Sequence, residues 1–107
     1  MSYDVTIYEM DEQGPTGILL DVNYTSNLAG VWTNAGARLS EWDGMRCREF
    51  LAQLQIAVET IEGDLPYYRK FNPENGWGDV DSMLVGFLVP ILLMAEQNPD
   101  AIMRVSY

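Results

Sequence analysis

An uninterrupted apolar run near the end of the chain limits the fold more than any other feature. Residues 83–95 are thirteen consecutive residues without a charged or hydrogen-bonding side chain. The run is too short to span a bilayer, and Pro90 lies within it. Asp79 can cap a helix over residues 80–97, and a helix that is apolar on all sides must be buried on more than one side. The run therefore predicts either the central helix of the domain or an oligomer interface, and we expect a homodimer.

Alternating side chains predict strands at both ends of the chain. In residues 3–10, Val5 and Ile7 share one face with Tyr3, while polar residues dominate the other. Residues 17–24 are rich in branched apolar side chains and predict a short hairpin partner, joined by a turn over residues 11–17 that contains Gly14-Pro15. Residues 101–107 alternate well enough for a closing strand. Because the strands are expected to be short, the hairpin needs cover from helices.

Two further helices are predicted between these strands. Ser26 or Asn27 can cap a short helix over residues 28–34, which Gly36 stops, and Asp43 can cap a longer helix over residues 44–62. Apolar positions of the longer helix recur at intervals of three and four and form one stripe. The order predicts a single α+β domain, residues 1–107, with a three-stranded antiparallel sheet and helices packed on one face (β-β-α-α-α-β).

A strong acidic excess limits the partners. The chain has sixteen acidic and six basic residues, for a net charge of −10, and residues 1–37 hold five acids and no base. Such a surface repels nucleic acid and anionic lipid, so we expect neither as a direct partner. It suits a basic protein, with Asp11 and Glu12 as candidate partner-binding residues, or it serves only solubility.

The residues for common catalytic chemistry are scarce. The chain has no histidine, and Cys47, its one cysteine, falls in a predicted helix as a packing residue. Carboxylate pairs at Asp79 and Asp81, or at Glu41 and Asp43, could bind a divalent cation, but they are more typical of helix caps and first turns. We therefore expect a protein without enzymatic activity, cofactor or metal. The N-terminal residues are not typical of a signal peptide, and we expect a cytoplasmic location.

Two polar stretches are candidate binding segments. Residues 23–27, N-Y-T-S-N, end a strand and begin a helix, where backbone N–H groups and side-chain amides can hold a ligand. A helix cap would need only one of these five residues. Residues 72–79 lead into the last helix, near a small aromatic and basic cluster. The candidate ligand-binding residues are Asn23, Tyr24, Asn27, Tyr67, Arg69, Asn75, Gly76 and Trp77.

Trp77 lies between two glycines in the second stretch. Asn75-Gly76 supplies a positive φ, and Gly78 allows the chain to pass close to a neighbour. The indole either fills a gap between loop and sheet, which we favour, or forms a stacking wall for a ligand.

Three segments resemble small proteins encoded in phage and prophage genomes. They are N-Y-T-S-N at 23–27, L-S-E-W-D-G-M at 39–45, and N-P-E-N-G-W-G-D-V-D-S-M-L-V-G-F-L at 72–88. The similarity spans about residues 18–100 and is to a family in which an NP-x-NGWG loop precedes the last helix. The resemblance implies a phage origin more than an activity. It implies roles for Asn23, Asn27, Asn75, Gly76, Trp77 and Gly78.

These observations favour a binding protein, and the resemblance implies a phage accessory protein that acts in a bacterial host cell. We expect it to neutralise a component of antiviral defence, as an anti-CRISPR-like inhibitor does. It could sequester a small nucleotide-like signal in a pocket lined by Trp77, Tyr24 and the asparagines. It could instead present its acidic surface to a basic groove of a host defence protein. The alternatives are a structural or regulatory homo-oligomer without a ligand, and a carboxylate metal-dependent enzyme.

Overall fold

A three-stranded antiparallel sheet with helices packed on one face forms the fold, which confirms the predicted α+β class. The computed structural model describes residues 1–107, and the strand order is β2-β1-β3. The strands are β1 (Ser2–Asp11), β2 (Gly14–Thr25) and β3 (Ile102–Ser106). The helices are α1 (Ala29–Ala35), α2 (Cys47–Glu62), α3 (Leu65–Tyr68) and α4 (Val80–Gln97).

The alternation in β1 places the core on one face of the sheet. Val5 and Ile7 are fully buried, while Asp4 is exposed. Val5 pairs with Val22 on one side and Val105 on the other, so apolar residues meet across all three strands. The helices cover this face with their buried stripes. In α2 the buried residues are Cys47, Phe50, Leu54, Ala57, Val58 and Ile61.

The β1–β2 hairpin is longer than predicted, and its turn is shorter than the predicted residues 11–17 but lies within them. β1 has 10 residues and β2 has 12, so the expectation of short strands is wrong. The turn falls at residues 12–13, and Pro15 lies within β2 opposite Met10. The Asp11 carboxylate accepts a 2.7 Å hydrogen bond from the Gln13 N–H, and Gly14 supplies a positive φ of 119°. A carboxylate that closes a tight turn thus outweighs the Gly-Pro signal.

Asp43 does not cap α2, because the chain after it runs along the outer edge of β3. Gly44 N–H donates to the Met103 carbonyl over 2.7 Å, and the Asp43 carboxylate accepts from Val105 N–H over 2.8 Å. α2 begins later, at Cys47, where the Glu49 carboxylate accepts from the backbone N–H of Arg46. The predicted start at residue 44 is therefore wrong, although the predicted burial of Cys47 is confirmed.

The short helix α1 ends where predicted but is preceded by a different cap. The hydroxyl oxygen of Thr25, not of Ser26 or the amide of Asn27, accepts from the Asn27 N–H at the start of a single 3-10 turn over Ser26–Leu28. Gly36 ends α1 with a φ of 115°, a conformation that favours glycine.

The apolar run forms the core helix α4. Its buried residues are Val80, Met83, Leu84, Phe87, Leu88, Ile91, Leu92 and Ala95. Leu84–Leu88 forms a π-turn in which Val89 N–H donates to the Leu84 carbonyl. This wider turn directly precedes Pro90, whose ring crowds the carbonyl four residues earlier. α4 also has the length and mean hydropathy, 18 residues and 1.5, of a helix that can cross a membrane, a test that core helices of soluble proteins pass as well.

Candidate functional site

A groove between α1 and the segment that follows α2 is the first part of the candidate site. It encloses about 390 Å³, within the range of small-molecule sites. We call it the aromatic groove. Its lining residues are Asn27, Gly30, Val31, Asn34, Tyr67, Tyr68 and Phe71.

One wall of the aromatic groove is a single face of α1 and the turn before it. Asn27, Gly30, Val31 and Asn34 recur at intervals of three and four, so they lie on the same side of the helix. Amides at the two ends are separated by roughly 10 Å along the axis. A Cβ at Gly30 would meet no atom within 4 Å, so the missing side chain leaves open space in the middle of the wall.

The opposite wall is aromatic. The Tyr67 ring packs edge-to-face against Tyr68 at 5.1 Å and against Phe71 at 5.5 Å between ring centroids. Tyr67 and Phe71 nevertheless remain 48% and 51% exposed, so their surfaces are available to a ligand. Lys70 Nζ lies 5.8 Å from the Tyr67 ring centroid, which places a cation beside this wall.

Arg69, predicted to bind a ligand, forms an ion pair with Asp81 instead. Its guanidinium donates to both carboxylate oxygens of Asp81, at 2.9 and 2.8 Å. These hydrogen bonds lower the pKa of Asp81 and raise that of Arg69. The other arginines also pair with carboxylates, so Lys70 is the one cationic side chain outside the ion pairs.

The loop before α4 is braced against β2. The Tyr24 hydroxyl lies 2.9 Å from both the backbone nitrogen and the backbone oxygen of Asp79. Asp79 also caps α4 as predicted, since its carboxylate accepts from Ser82 N–H at 2.8 Å. At the start of the loop, the Asn72 side-chain oxygen accepts from Val80 N–H at 2.8 Å. Tyr24, predicted to bind a ligand, is thus a structural brace and does not line the aromatic groove.

Gly78 allows the loop to approach β2 closely. Its φ is 92°, and a Cβ there would lie 2.7 Å from Thr25 Cγ2 and 3.0 Å from Tyr24 Cε2. Gly76 also has a positive φ, 77°, but a Cβ there would meet nothing within 4 Å. The predicted roles of both glycines in the turn are confirmed, and Gly78 alone is fixed by contact.

The Trp77 side chain does not fill a gap between the loop and the sheet. It is 69% exposed, so the favoured expectation that it fills a gap is wrong. It borders a second, open groove of about 610 Å³, which we call the tryptophan shelf. The shelf is lined by Met1, Ser2, Thr25, Asn27, Asn75 and Trp77.

Asn27 joins the two grooves, since it lines both. Its amide nitrogen lies 3.5 Å from the Trp77 carbonyl oxygen, a long hydrogen bond between the turn before α1 and the loop. The structure thus brings together Asn27, Tyr67, Asn75 and Trp77 from the sequence prediction. It leaves Asn23 on the outer face of the sheet, opposite Asp4 of β1.

The predicted partner-binding residues lie far from these grooves in the fold. Asp11 ends β1 and Glu12 begins the hairpin turn, and both are exposed. Neither forms an ion pair. The hairpin continues beyond the sheet partner β3, which pairs with β1 only from Asp4 to Tyr8.

The carboxylates considered for a cation are engaged in other contacts. Asp79 caps α4 and Asp81 pairs with Arg69, while Glu41 lies 3.9 Å from the Arg38 guanidinium. Asp43 binds Arg104 and Val105. The structure contains no group of three or more metal-ligating side chains.

Comparison with known proteins found no match to this chain among protein-family models, curated proteins or solved structures. We therefore infer a function from the geometry of the two grooves and the surface charge.

Proposed function

We propose that this protein binds a small nucleotide-like ligand and sequesters it without chemical change. The observation that carries the proposal is the aromatic groove, in which exposed rings face a helix wall with amides at both ends. The phage resemblance of the sequence supports a signal of bacterial antiviral defence as the ligand.

The aromatic wall suits the flat face of a nucleobase, and the helix wall with its amides suits the polar edge of the base. Bases stack on aromatic side chains, and each stacked base contributes about 1–3 kcal/mol. Tyr67 and Phe71 offer such rings. Side-chain amides carry both donors and acceptors and can read the polar edge of a base. The side chain of Asn34 makes no hydrogen bond within the protein, so its amide is free for this role.

Charge distinguishes the groove from the rest of the surface. The net charge of −10 opposes an anionic ligand over the molecule as a whole. Lys70 is free of carboxylate partners and lies beside Tyr67, so repulsion of a phosphate is weakest there. A ligand with a base and few phosphate charges fits this balance.

Sequestration without turnover is supported by the side chains available. The chain has no histidine, and the Cys47 thiol is buried, which raises its pKa to about 11. None of the residues that line the aromatic groove carries a carboxylate or a thiol. The groove thus offers contacts for binding but no acid, base or thiolate nucleophile near neutral pH.

The test is calorimetric titration with AMP, GMP, CMP and UMP, with ribose phosphate as the ligand that lacks a base. We expect at least one nucleotide to bind and ribose phosphate not to bind. Gly30→Leu should abolish binding, because the new side chain occupies the open space in the helix wall.

Gly86→Leu is the matched control, since Gly86 is also an exposed helical glycine with open space around it, but it lies outside the groove. Both variants should fold, because leucine favours a helix more than glycine does. Failure of every nucleotide to bind, or unchanged binding by Gly30→Leu, would contradict the proposal.

A second candidate is inhibition of a basic host protein through the hairpin. The exposed acids of the hairpin have no basic partner in the fold, so their negative charge can attract a basic protein. They are Glu9, Asp11 and Glu12. The Glu9→Lys/Glu12→Lys variant, which leaves the Asp11 turn intact, should lose a salt-sensitive complex with such a protein in pull-downs from bacterial lysate, whereas Gly30→Leu should retain it. The opposite pattern would assign the complex to the groove.

We also propose a homodimer through α4, because Val85 and Leu93 lie two helical turns apart and are 72% and 50% exposed. Light scattering should give twice the mass of the 12.1 kDa chain, and Val85→Glu/Leu93→Glu should give the monomer mass. A wild-type protein that is monomeric at all concentrations would exclude it.

A further inference from the structure

We propose that the aromatic groove and the tryptophan shelf form one composite site for a ligand with two bases joined by a phosphodiester, a dinucleotide. This inference rests on the proposed function, since it assigns one base to the aromatic groove. It adds a second base, stacked on Trp77.

Continuity of the two grooves is the first observation. Asn27 lines both, and its side chain contacts the backbone of Trp77 over 3.5 Å. The volumes are about 390 and 610 Å³. A ligand that passes over Asn27 would therefore reach both the aromatic wall and the indole.

The second observation is a fixed loop that carries an exposed ring. The Trp77 backbone N–H donates to the Asn75 side-chain oxygen at 3.0 Å, and Gly78 packs against Thr25. The next residue, Asp79, is held by the Tyr24 hydroxyl. These contacts fix the loop backbone, yet the indole is 69% exposed and therefore gains little stabilisation from packing in the fold. Its exposed ring is available as a stacking surface for a base.

Polar groups of the shelf face the same space. Because the Asn75 side-chain oxygen accepts from Trp77 N–H, its amide nitrogen is left as a donor without a partner. Thr25 and Ser2 add hydroxyls to the lining. These groups suit the sugar and phosphodiester between two bases, which present hydroxyls and oxygen acceptors.

The net negative charge of the protein favours a two-base ligand that carries few negative charges. A single phosphodiester carries one negative charge, whereas a terminal phosphate carries close to two near neutral pH. With Lys70 as the one cationic side chain outside the ion pairs, a ligand that brings two bases with one charge is favoured. The linear dinucleoside monophosphate ApA is the simplest probe of this chemistry.

The test compares ApA with AMP by calorimetric titration of the wild type, Trp77→Ala and Trp77→Phe. We expect ApA to bind about tenfold more tightly than AMP, the effect of one additional stacked base. Trp77→Ala should lose this tenfold advantage because it weakens ApA binding far more than AMP binding, and Trp77→Phe should retain most of the advantage. Because Trp77 is exposed, neither substitution should alter the fold, which circular dichroism checks.

Acrylamide quenching of fluorescence gives a second readout, which reports mainly on Trp77. Trp32 and Trp42 are 0% and 3% exposed, so acrylamide should quench mainly Trp77. Saturating ApA should protect the wild type from acrylamide, and saturating AMP should not.

The outcomes separate this inference from the proposed function. Equal affinities for ApA and AMP, or a Trp77→Ala variant weakened equally toward both, would overturn the composite site. The aromatic groove would still stand if AMP binding were lost in Gly30→Leu. If ApA did not bind, the composite site would fail, and the proposed function would fail with it only if none of the four mononucleotides bound either.

Discussion

At the scale of single residues, Asp43 has a role that its place in the sequence conceals. It stands just before a helix, where an aspartate typically caps, yet its carboxylate accepts hydrogen bonds from Val105 N–H and Arg104 Nε at 2.8 and 2.9 Å. These bonds close the outer edge of β3, which would otherwise leave an N–H unpaired. The role depends on a strand about sixty residues away, and no local pattern indicates it.

Asp43→Asn should lower stability at neutral pH and remove part of its acid dependence. The hydrogen bond from Val105, followed by that from Arg104, lowers the pKa of Asp43 in the folded state. The stabilisation is therefore present above the ordinary aspartate pKa of about 3.9 and is lost as the pH falls through the lowered folded value.

We expect a loss of about 1 kcal/mol near pH 7, reduced because the side chain is partly exposed. The measurement is the melting temperature against pH. The difference from the wild type should shrink as the pH falls below the ordinary aspartate pKa and through the lowered folded value. Asp64→Asn is the control, since Asp64 makes no side-chain cap or ion pair. A difference that persists unchanged in acid would contradict the charge-based explanation.

Cys47 should be inert in the folded protein. It is fully buried at the start of α2, and burial raises the pKa of the thiol to about 11. Roughly one thiol in a thousand is then ionised near pH 8, and the side chain is shielded as well. A thiol-specific disulfide reagent should label nothing under native conditions and one group per chain in guanidinium. Rapid native labelling would show that the N-terminal end of α2 opens.

At the scale of secondary-structure elements, the predictions succeeded where the signal comes from residues that are close together in the sequence. The alternation of Val5 and Ile7 located β1, and the apolar stripe located most of α2, because each element must bury one face. The extent of the hairpin turn and the start of α2 were predicted wrongly, because the Asp11 turn and the β3 edge compete with the local signals. The π-turn before Pro90 also had no signal beyond the proline itself.

The candidate site was predicted only in part for the same reason. Trp77 and Asn27 were identified because polar or glycine-flanked positions stand out in a sequence. Asn34 and Phe71 were missed, since they come to line one groove only when α1 packs beside residues 67–71. The spacing of Asn27 and Asn34 by seven residues on a predicted helix is the signal that could have joined them.

Gly78→Ala should destabilise the loop before α4 more than Gly76→Ala does. Both positions have a positive φ, which costs an alanine about 1 kcal/mol or more. At Gly78 the added Cβ would also lie 2.7 Å from Thr25 Cγ2, so backbone or β2 must move, whereas Gly76 has open space. We expect an additional loss of about 1–3 kcal/mol at Gly78 in chemical denaturation. Equal losses would show that the loop is not held against β2.

At the scale of the whole molecule, charge and shape are unevenly distributed. The chain measures 46 × 26 × 20 Å, and the hairpin end of the sheet carries acids without basic partners. The arginines form ion pairs that fix loops and strand edges, such as Arg48 with Asp100 and Arg104 with Asp43. The proposed ligand groove and the proposed protein-binding hairpin thus differ in charge as well as in position.

Added salt should stabilise this protein. Two effects compete, because salt screens both the repulsion among sixteen acids and the attraction within the ion pairs. The ion-paired side chains are between 36% and 66% exposed, so each pair contributes little. Repulsion from a net charge of −10 therefore dominates. We expect the melting temperature to rise by about 4–8 °C, equivalent to about 1 kcal/mol, between low and moderate salt.

The hairpin acids should account for part of that rise. Asp11→Asn/Glu12→Gln removes two negative charges that have no basic partner in the fold and keeps an oxygen at residue 11 to accept from Gln13 N–H. Its melting temperature should therefore be higher at low salt and converge with the wild type as salt increases. Sodium and potassium chloride should act alike, because screening depends on ionic strength alone. A melting temperature that falls with salt would mean that the exposed ion pairs, chiefly the bidentate Arg69–Asp81 pair, outweigh the repulsion.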